Sequence, residues 1–196
     1  MKNKGITKFT ALKETKFLNL FDAEYQNKKG ATKHWIIASR KNYETLREQY
    51  FQDRKESMDA VVIAATHKET GKLALVKQFR VPLNDYIYEL PAGLIDGNES
   101  IETAVARELK EETGLALLEI DNEKTKKGVY LSPGMTDESA ALVYCTCTGE
   151  ISSKYLEDDE DIEAILISPS EAEELLREDV KMDVKAYMAL QSFINS

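Results

Sequence analysis

Residues Gly93 to Leu115, GLIDGNESIETAVARELKEETGL, constrain the chain more than any other stretch, because they place carboxylates on the packing face of an otherwise ordinary helix. The spacing predicts a helix from about Ser100 to Thr113, capped by Asn98 or Ser100 and stopped by Gly114 in the left-handed region. At about 100° per residue, Ile101, Val105 and Leu109, with Ala104, form one apolar face suited to packing on a sheet. Glu108 and Glu112 project from that same face, and Glu111 borders it. Side chains three and four residues apart on a helix are about 5–6 Å from each other, so each carboxylate pair repels by roughly 3 kcal/mol at an effective dielectric of about 20. Either one carboxylate keeps a proton or a divalent cation sits among them. Oxygen-only ligands favour magnesium or manganese over zinc. The competing reading, a solvated acidic face, is weakened by the overlap with the apolar stripe.

The same stretch resembles the Nudix box, G-x5-E-x7-R-E-U-x-E-E-x-G-U with U aliphatic. Gly93, Glu99, Arg107, Glu108, Leu109, Glu111, Glu112, Gly114 and Leu115 fill every specified position. On these residues the chain is identified as a member of the Nudix hydrolases, and the resemblance implies an α/β fold, a Nudix-type α/β/α sandwich with a mixed sheet. It also implies magnesium, with manganese as the substitute, and hydrolysis of a nucleoside diphosphate linked to another group. By position in the box, Glu108 and Glu112 resemble direct metal ligands, Glu111 a ligand or a partner of the attacking water, and Glu99 the outer glutamate. Ala92 corresponds to a position whose carbonyl joins the metal shell, and Gly93 is expected to let the loop turn tightly. Arg107 is expected to pair with a glutamate and fix its rotamer, helping catalysis from outside the metal shell.

Three features outside the box resemble the ADP-ribose pyrophosphatase branch. Arg80, in KQFRVPLNDYIYELPAG, matches an arginine that reaches the substrate diphosphate; as a plain residue it is a strand-end arginine. Ser132-Pro133-Gly134 matches a loop element whose proline marks the substrate class. Beyond it, Glu138 resembles a loop general base, with Asp137 its nearest competitor. Trp35, the one tryptophan, matches an aromatic that stacks on adenine, with Arg40 beside it; packing alone would also explain a tryptophan there. Glu89 is a candidate contact to the terminal ribose. The favoured reading is conversion of ADP-ribose to AMP and ribose 5-phosphate; another nucleoside diphosphate sugar, or a non-catalytic nucleotide sensor, are the alternatives.

The chain has 196 residues and a formal net charge of −9, which disfavours wrapping long nucleic acid. No apolar run is long enough to span a membrane, and the polar start lacks a signal-peptide core. The expected place is therefore the cytoplasm, the partner a small-molecule nucleotide. Cys145 and Cys147 lie two apart on a strand and read as buried thiols rather than a disulfide.

Residues 1–56 read as a β-rich N-terminal segment of two or three strands around Lys29-Gly30, followed by a charged stretch without clear period. Short strands with little core of their own point to a homodimer, and this segment is expected to serve dimerisation and base binding. Residues 57–196 read as the Nudix domain. Its hairpin turns at Gly71, and Ser168-Pro169-Ser170-Glu171 opens a helix as a capping box. In the last helix, Val184, Tyr187, Met188 and Phe193 read as the packing side. The run Glu157 to Asp161 reads as a solvated acidic loop, with a further metal-binding role as the alternative.

Overall fold

Two compact units divide the chain: one holds the residues up to Asp59 together with Gly128–Ala140, the other Ala60–Lys127 and the residues from Ala141 on. The computed structural model describes residues 5–157 and 160–195. Two residues of the acidic run, 158 and 159, thus lie outside the described residues.

The first unit contains β1 (Ile6–Lys13), β2 (Asn19–Gln26) and β3 (Thr32–Ser39), paired in that order. The expected turn at Lys29-Gly30 joins β2 to β3. Alternation along β2 buries Asn19, Phe21 and Ala23 and turns Leu20 outward. The charged stretch that follows is a helix, α1 (Tyr43–Phe51), whose N-cap Asn42 accepts from the Thr45 N–H. The sequence hides it because only Leu46 on its face is fully buried. That helix supplies what the strands were expected to lack: Phe9, Phe21, Ala23 and Leu46 form a small core, with Phe9 and Phe21 rings stacked at 4.6 Å.

In the second unit, β4 (Ala60–His67), β5 (Leu73–Arg80), β6 (Asp85–Glu89), β7 (Ala92–Leu94), β8 (Ala116–Tyr130), β9 (Ser139–Thr148) and β10 (Ile162–Ile167) form a seven-stranded mixed sheet; β8 and β9 run across the boundary between the units. The order is β10-β5-β4-β9-β8, with β6 added to β5 and β7 to β4. Strand β8 runs unbroken through Asp121 and Asn122. Pro91 ends β6 as its missing N–H requires, and β7 returns antiparallel to β4 with Val61 opposite Gly93.

Helix α2 (Ile101–Thr113) packs on β4, β5, β7 and β10. Ser100 is its N-cap, and Gly114 closes it at φ +78°. Any Cβ at 114 would also meet Ser152 at 2.7 Å, so conformation and space both call for glycine. Helix α3 (Pro169–Leu175) begins with the expected capping box at Ser168 and Glu171. Helix α4 (Val184–Ile194) differs from expectation. Its buried side is Ala186, Ala189 and Leu190, while Val184, Tyr187 and Met188 are exposed. Small side chains let this helix approach its neighbours closely, so the bulkier stripe faces out. Cys145 and Cys147 are buried free thiols, and burial pushes them up to about 12 and about 11. No helix among the described residues is long and apolar enough to cross a membrane.

Candidate active site

The apolar face of α2 does turn acidic. Glu108 and Glu112 are buried beside Ala104, Val105 and Leu109. The box carboxylates do not simply repel one another, because Arg107 gathers three of them. Its Nη1 donates to Glu108 at 2.7 Å and to Glu111 at 3.1 Å, while its Nε and Nη2 donate to the two oxygens of Glu99 at 3.1 and 2.9 Å. Nη2 also donates to the Leu94 carbonyl at 2.9 Å, tying the hub to the end of β7. The planar guanidinium, with its five N–H groups, suits such a divided task. The hydrogen bond from Arg107 holds Glu99 below the usual carboxylate range. Burial outweighs Arg107 at Glu108 and raises it.

Glu112 is the carboxylate that Arg107 leaves out. It accepts from the Ala92 N–H at 3.0 Å, and burial pushes it up to about 8, against that hydrogen bond and with added repulsion from Glu108 and Glu160. Three carboxylates therefore share one guanidinium while Glu112 has none, and Glu112 holds its proton near neutral pH unless another cation arrives.

Gly93 has a role other than the tight turn expected of it, since it lies within β7. A Cβ there would stand 1.9 Å from the Glu108 carboxylate carbon. The missing side chain is the space in which that carboxylate sits.

Among the described residues, no three His, Cys, Asp or Glu side chains are already drawn together as a metal-holding group. The donor chemistry nonetheless fits a hard divalent cation. All the side-chain donors are carboxylate oxygens, two of them are buried on one helix face, and the negative charge there exceeds the positive.

Arg80 and Glu89 meet directly, with Arg80 Nε and Nη2 at 2.7 and 2.6 Å from Glu89 Oε2. Arg80 also lies close enough to lower Glu112 electrostatically, in opposition to burial. It is paired with the neighbouring candidate rather than alone at its strand end.

The other three candidates, Trp35, Pro133 and Glu138, belong to the first unit. Trp35 is 51% exposed and its indole N–H donates to the Gly134 carbonyl at 3.2 Å. It is no core residue, and a flat aromatic face is left open to solvent. Pro133 is exposed. The Ala38 N–H donates to Met135 O at 2.9 Å and Ala38 bridges Thr136, so the 133–138 loop runs along the edge of β3. Glu138 is held by Arg40, Nε to Oε1 at 2.6 Å. Asp137, its sequence competitor, is occupied by Lys41 at 3.0 Å.

Sequence reasoning missed Glu160, Lys41 and Asp59. Glu160 sits in the run read as a solvated loop, yet its charge raises both Glu108 and Glu112; an acidic run alone carries no signal of what it faces. Lys41 and Asp59 carry no motif, and only the folded chain brings them together.

A family model for the NUDIX domain matches residues 56–190. A putative nudix hydrolase 2 of Caenorhabditis elegans is 40% identical over 121 residues, 58% of this chain and 53% of that protein. The chain thus spans about half the length of that relative. The ADP-ribose pyrophosphatase of Bacillus subtilis strain 168 is 35% identical over 137 residues, 67% of this chain and 70% of the relative. The crystal structure of an ADP compounds hydrolase matches over 97% of this chain and 93% of its own, with a TM-score of 0.69 at 17% identity, a likeness of fold.

Proposed function

Since the chain belongs to the Nudix hydrolase family, we propose that it is a magnesium-dependent pyrophosphatase splitting ADP-ribose into AMP and ribose 5-phosphate. The observation that carries this reading is the buried acidic face of α2, where Glu112 makes no ion pair among the described residues and Gly93 leaves room at Glu108. Magnesium, or manganese in its place, supplies neutralisation of the diphosphate oxygens and an ordered water when bound. Glu108, Glu112 and Glu111 would hold the ion with the Ala92 carbonyl, and Glu99 would stand at its outer side. Arg107 keeps Glu108 and Glu111 aimed, as partners outside the metal shell do for ligands.

Arg80 takes the substrate diphosphate, for which its guanidinium is suited by charge and fork geometry. Glu89 holds that guanidinium ready before substrate arrives and is a candidate contact to the terminal ribose. Trp35 offers its exposed face to adenine, and Pro133 shapes the loop beside it. Glu138 accepts the proton of the water that attacks phosphorus, and the bond to the leaving phosphate oxygen breaks. Glu160 is a second reading for that base, favoured by its electrostatic reach to Glu108 and Glu112. Comparing E138Q with E160Q separates the two: the base is the one whose loss lowers kcat while KM holds.

The same reading keeps the 1–56 segment for base binding and dimerisation. Leu12, Leu18, Leu20 and Ile36 are exposed on the N-terminal strands and their connection, an apolar surface suited to a second copy. Light scattering showing a monomer at micromolar concentration overturns the dimer. The cytoplasm, expected from the polar sequence, agrees with two free thiols.

A panel of ADP-ribose, ADP-glucose, GDP-mannose, NADH and diadenosine polyphosphates, each with magnesium and coupled to phosphate release, tests the function. ADP-ribose should lead in kcat/KM. A lead by another sugar nucleotide keeps the chemistry and replaces the substrate, and no turnover of any compound favours a nucleotide sensor.

A further inference from the structure

Lys41 is a partly buried lysine with no place in the box or in the substrate features. Its Nζ lies 2.8 Å from Asp59 and 3.0 Å from Asp137, and the lysine side chain is only 8% exposed. Its backbone is fixed as well: the buried Asn19 donates to the Lys41 carbonyl at 3.0 Å, and the Lys41 N–H donates to Ser39 Oγ at 3.1 Å. Asp59 in turn accepts from the Ser139 N–H at 2.9 Å, and the Asp59 N–H donates to the Ser139 carbonyl at 2.9 Å. The residues on either side of Glu138 are therefore both tied, directly or through Asp59, to one ammonium group.

A largely desolvated group of one cation and two anions is a poor way to gain stability, since apolar side chains of similar volume do as well or better. It is an effective way to fix a position. Asp137 has a second oxygen, Oδ1, buried without a hydrogen-bond partner among the described residues, so Lys41 is the counter-charge that keeps this carboxylate in place. Without the ammonium, Asp59 and Asp137 would be left without the cation they share.

We propose that Lys41 is a positioning residue which, through Asp59 and Asp137, holds the Pro133–Ser139 loop on β3 and so fixes the carboxylate of Glu138 for its work on water. This inference rests on the reading of Glu138 as the base. Arg40 grips the Glu138 side chain itself; Lys41 fixes the backbone that carries it. The effect belongs in kcat, because a base acts on water and not on substrate affinity.

The test is a double-mutant cycle on the full chain with magnesium and ADP-ribose, comparing wild type, K41M, E138Q and K41M/E138Q. Trp35, the one tryptophan, donates to Gly134 in the same loop and reports its docking by fluorescence. K41M is expected to lower kcat by roughly 10- to 100-fold, the scale of an ångström-sized displacement, with KM nearly unchanged and Trp35 emission shifted to longer wavelength. K41M/E138Q is expected to be no slower than E138Q, and K41R to restore part of both rate and emission. Losses that multiply in the double variant, or wild-type kcat in K41M beside a slow E138Q, overturn the proposal and leave the base reading standing. E138Q at the wild-type rate overturns the base reading and this inference with it. For a K41M chain that does not fold, D137N is the substitute, since it leaves Lys41 and Asp59 as a matched pair. It should lower kcat less and move Trp35 emission in the same direction; unchanged values of both overturn the proposal.

Discussion

The two units handle wholly and partly buried acids in opposite ways. In the first, Asp59, Asp137 and Glu138 are met by two side-chain cations, Lys41 and Arg40. In the second, Glu99, Glu108 and Glu111 are met by Arg107 alone, and Glu112 by a backbone N–H. The first arrangement is nearly balanced and holds a loop still. The second is left short of positive charge on a buried face, where an unbalanced charge costs most. The difference teaches where a divalent ion is to be supplied: the imbalance lies at the helix carrying the box, and the balanced cluster has its own cations.

The sharpest way to break this comparison is E112Q. If the unpaired glutamate exists to hold metal, magnesium-dependent turnover should fall by more than the roughly 100-fold that losing an orienting partner of a ligand costs. Near wild-type turnover would remove Glu112 from the site. Next comes G93A. The added methyl displaces the Glu108 carboxylate, so kcat should drop by up to roughly 100-fold and the magnesium needed for half-maximal rate should rise, while circular dichroism stays unchanged. Unaltered kinetics would show that Glu108 moves freely.

Stability against pH sharpens the contrast further. Glu112 is raised in the folded chain to about 8 from the ordinary 4.5. The metal-free native state therefore holds a proton that the unfolded chain has lost between these values. Its contribution is fully present below about pH 4.5, falls as pH rises, and is gone above about 8. At roughly 1.4 kcal/mol per pKa unit, the fall is on the order of a few kcal/mol. Urea titrations of metal-free protein at pH 5 and pH 8 should show it, and E112Q should flatten it. A wild-type curve no steeper than that of E112Q would deny the shift.

The smallest expected effect lies away from both clusters. S168A removes the capping box of α3 and should cost about 1 kcal/mol, measured as a lower Tm with kcat/KM unchanged. Glu171 is held down to about 2, chiefly by the Ser168 hydroxyl. Its contribution is present above the ordinary value of 4.5 and is lost as pH falls toward 2, the reverse of Glu112. A Tm deficit in S168A that stays the same from pH 7 down to pH 2 would contradict that coupling.

Much of the second unit was legible in sequence, because its signals are local. Ser100, Gly114, Ser168 and Gly71 act within a few residues, and the placement of Glu108 and Glu112 on an apolar face follows from helical angle alone. What escaped depends on contacts between distant residues. Arg107 looked like the partner of one glutamate, and only the fold shows it serving three. The stripe on α4 misled because hydrophobicity was weighed without size: the small Ala186 and Ala189 are buried and the bulkier side chains are not. Helix α1 was missed because one buried leucine leaves almost no period. Lys41, Asp59 and Asp137 are separated by 18 and 96 residues from the lysine, and nothing in their neighbourhoods marks them as a set.

The two cysteines, buried and raised to about 12 and about 11, carry a practical consequence. At neutral pH almost none of either thiol is thiolate, the form that alkylating reagents attack. The native chain is thus chemically silent toward maleimides. A single cysteine introduced into the exposed turn at Lys28 or Lys29 would take a dye or spin label alone, with no need to replace the native pair.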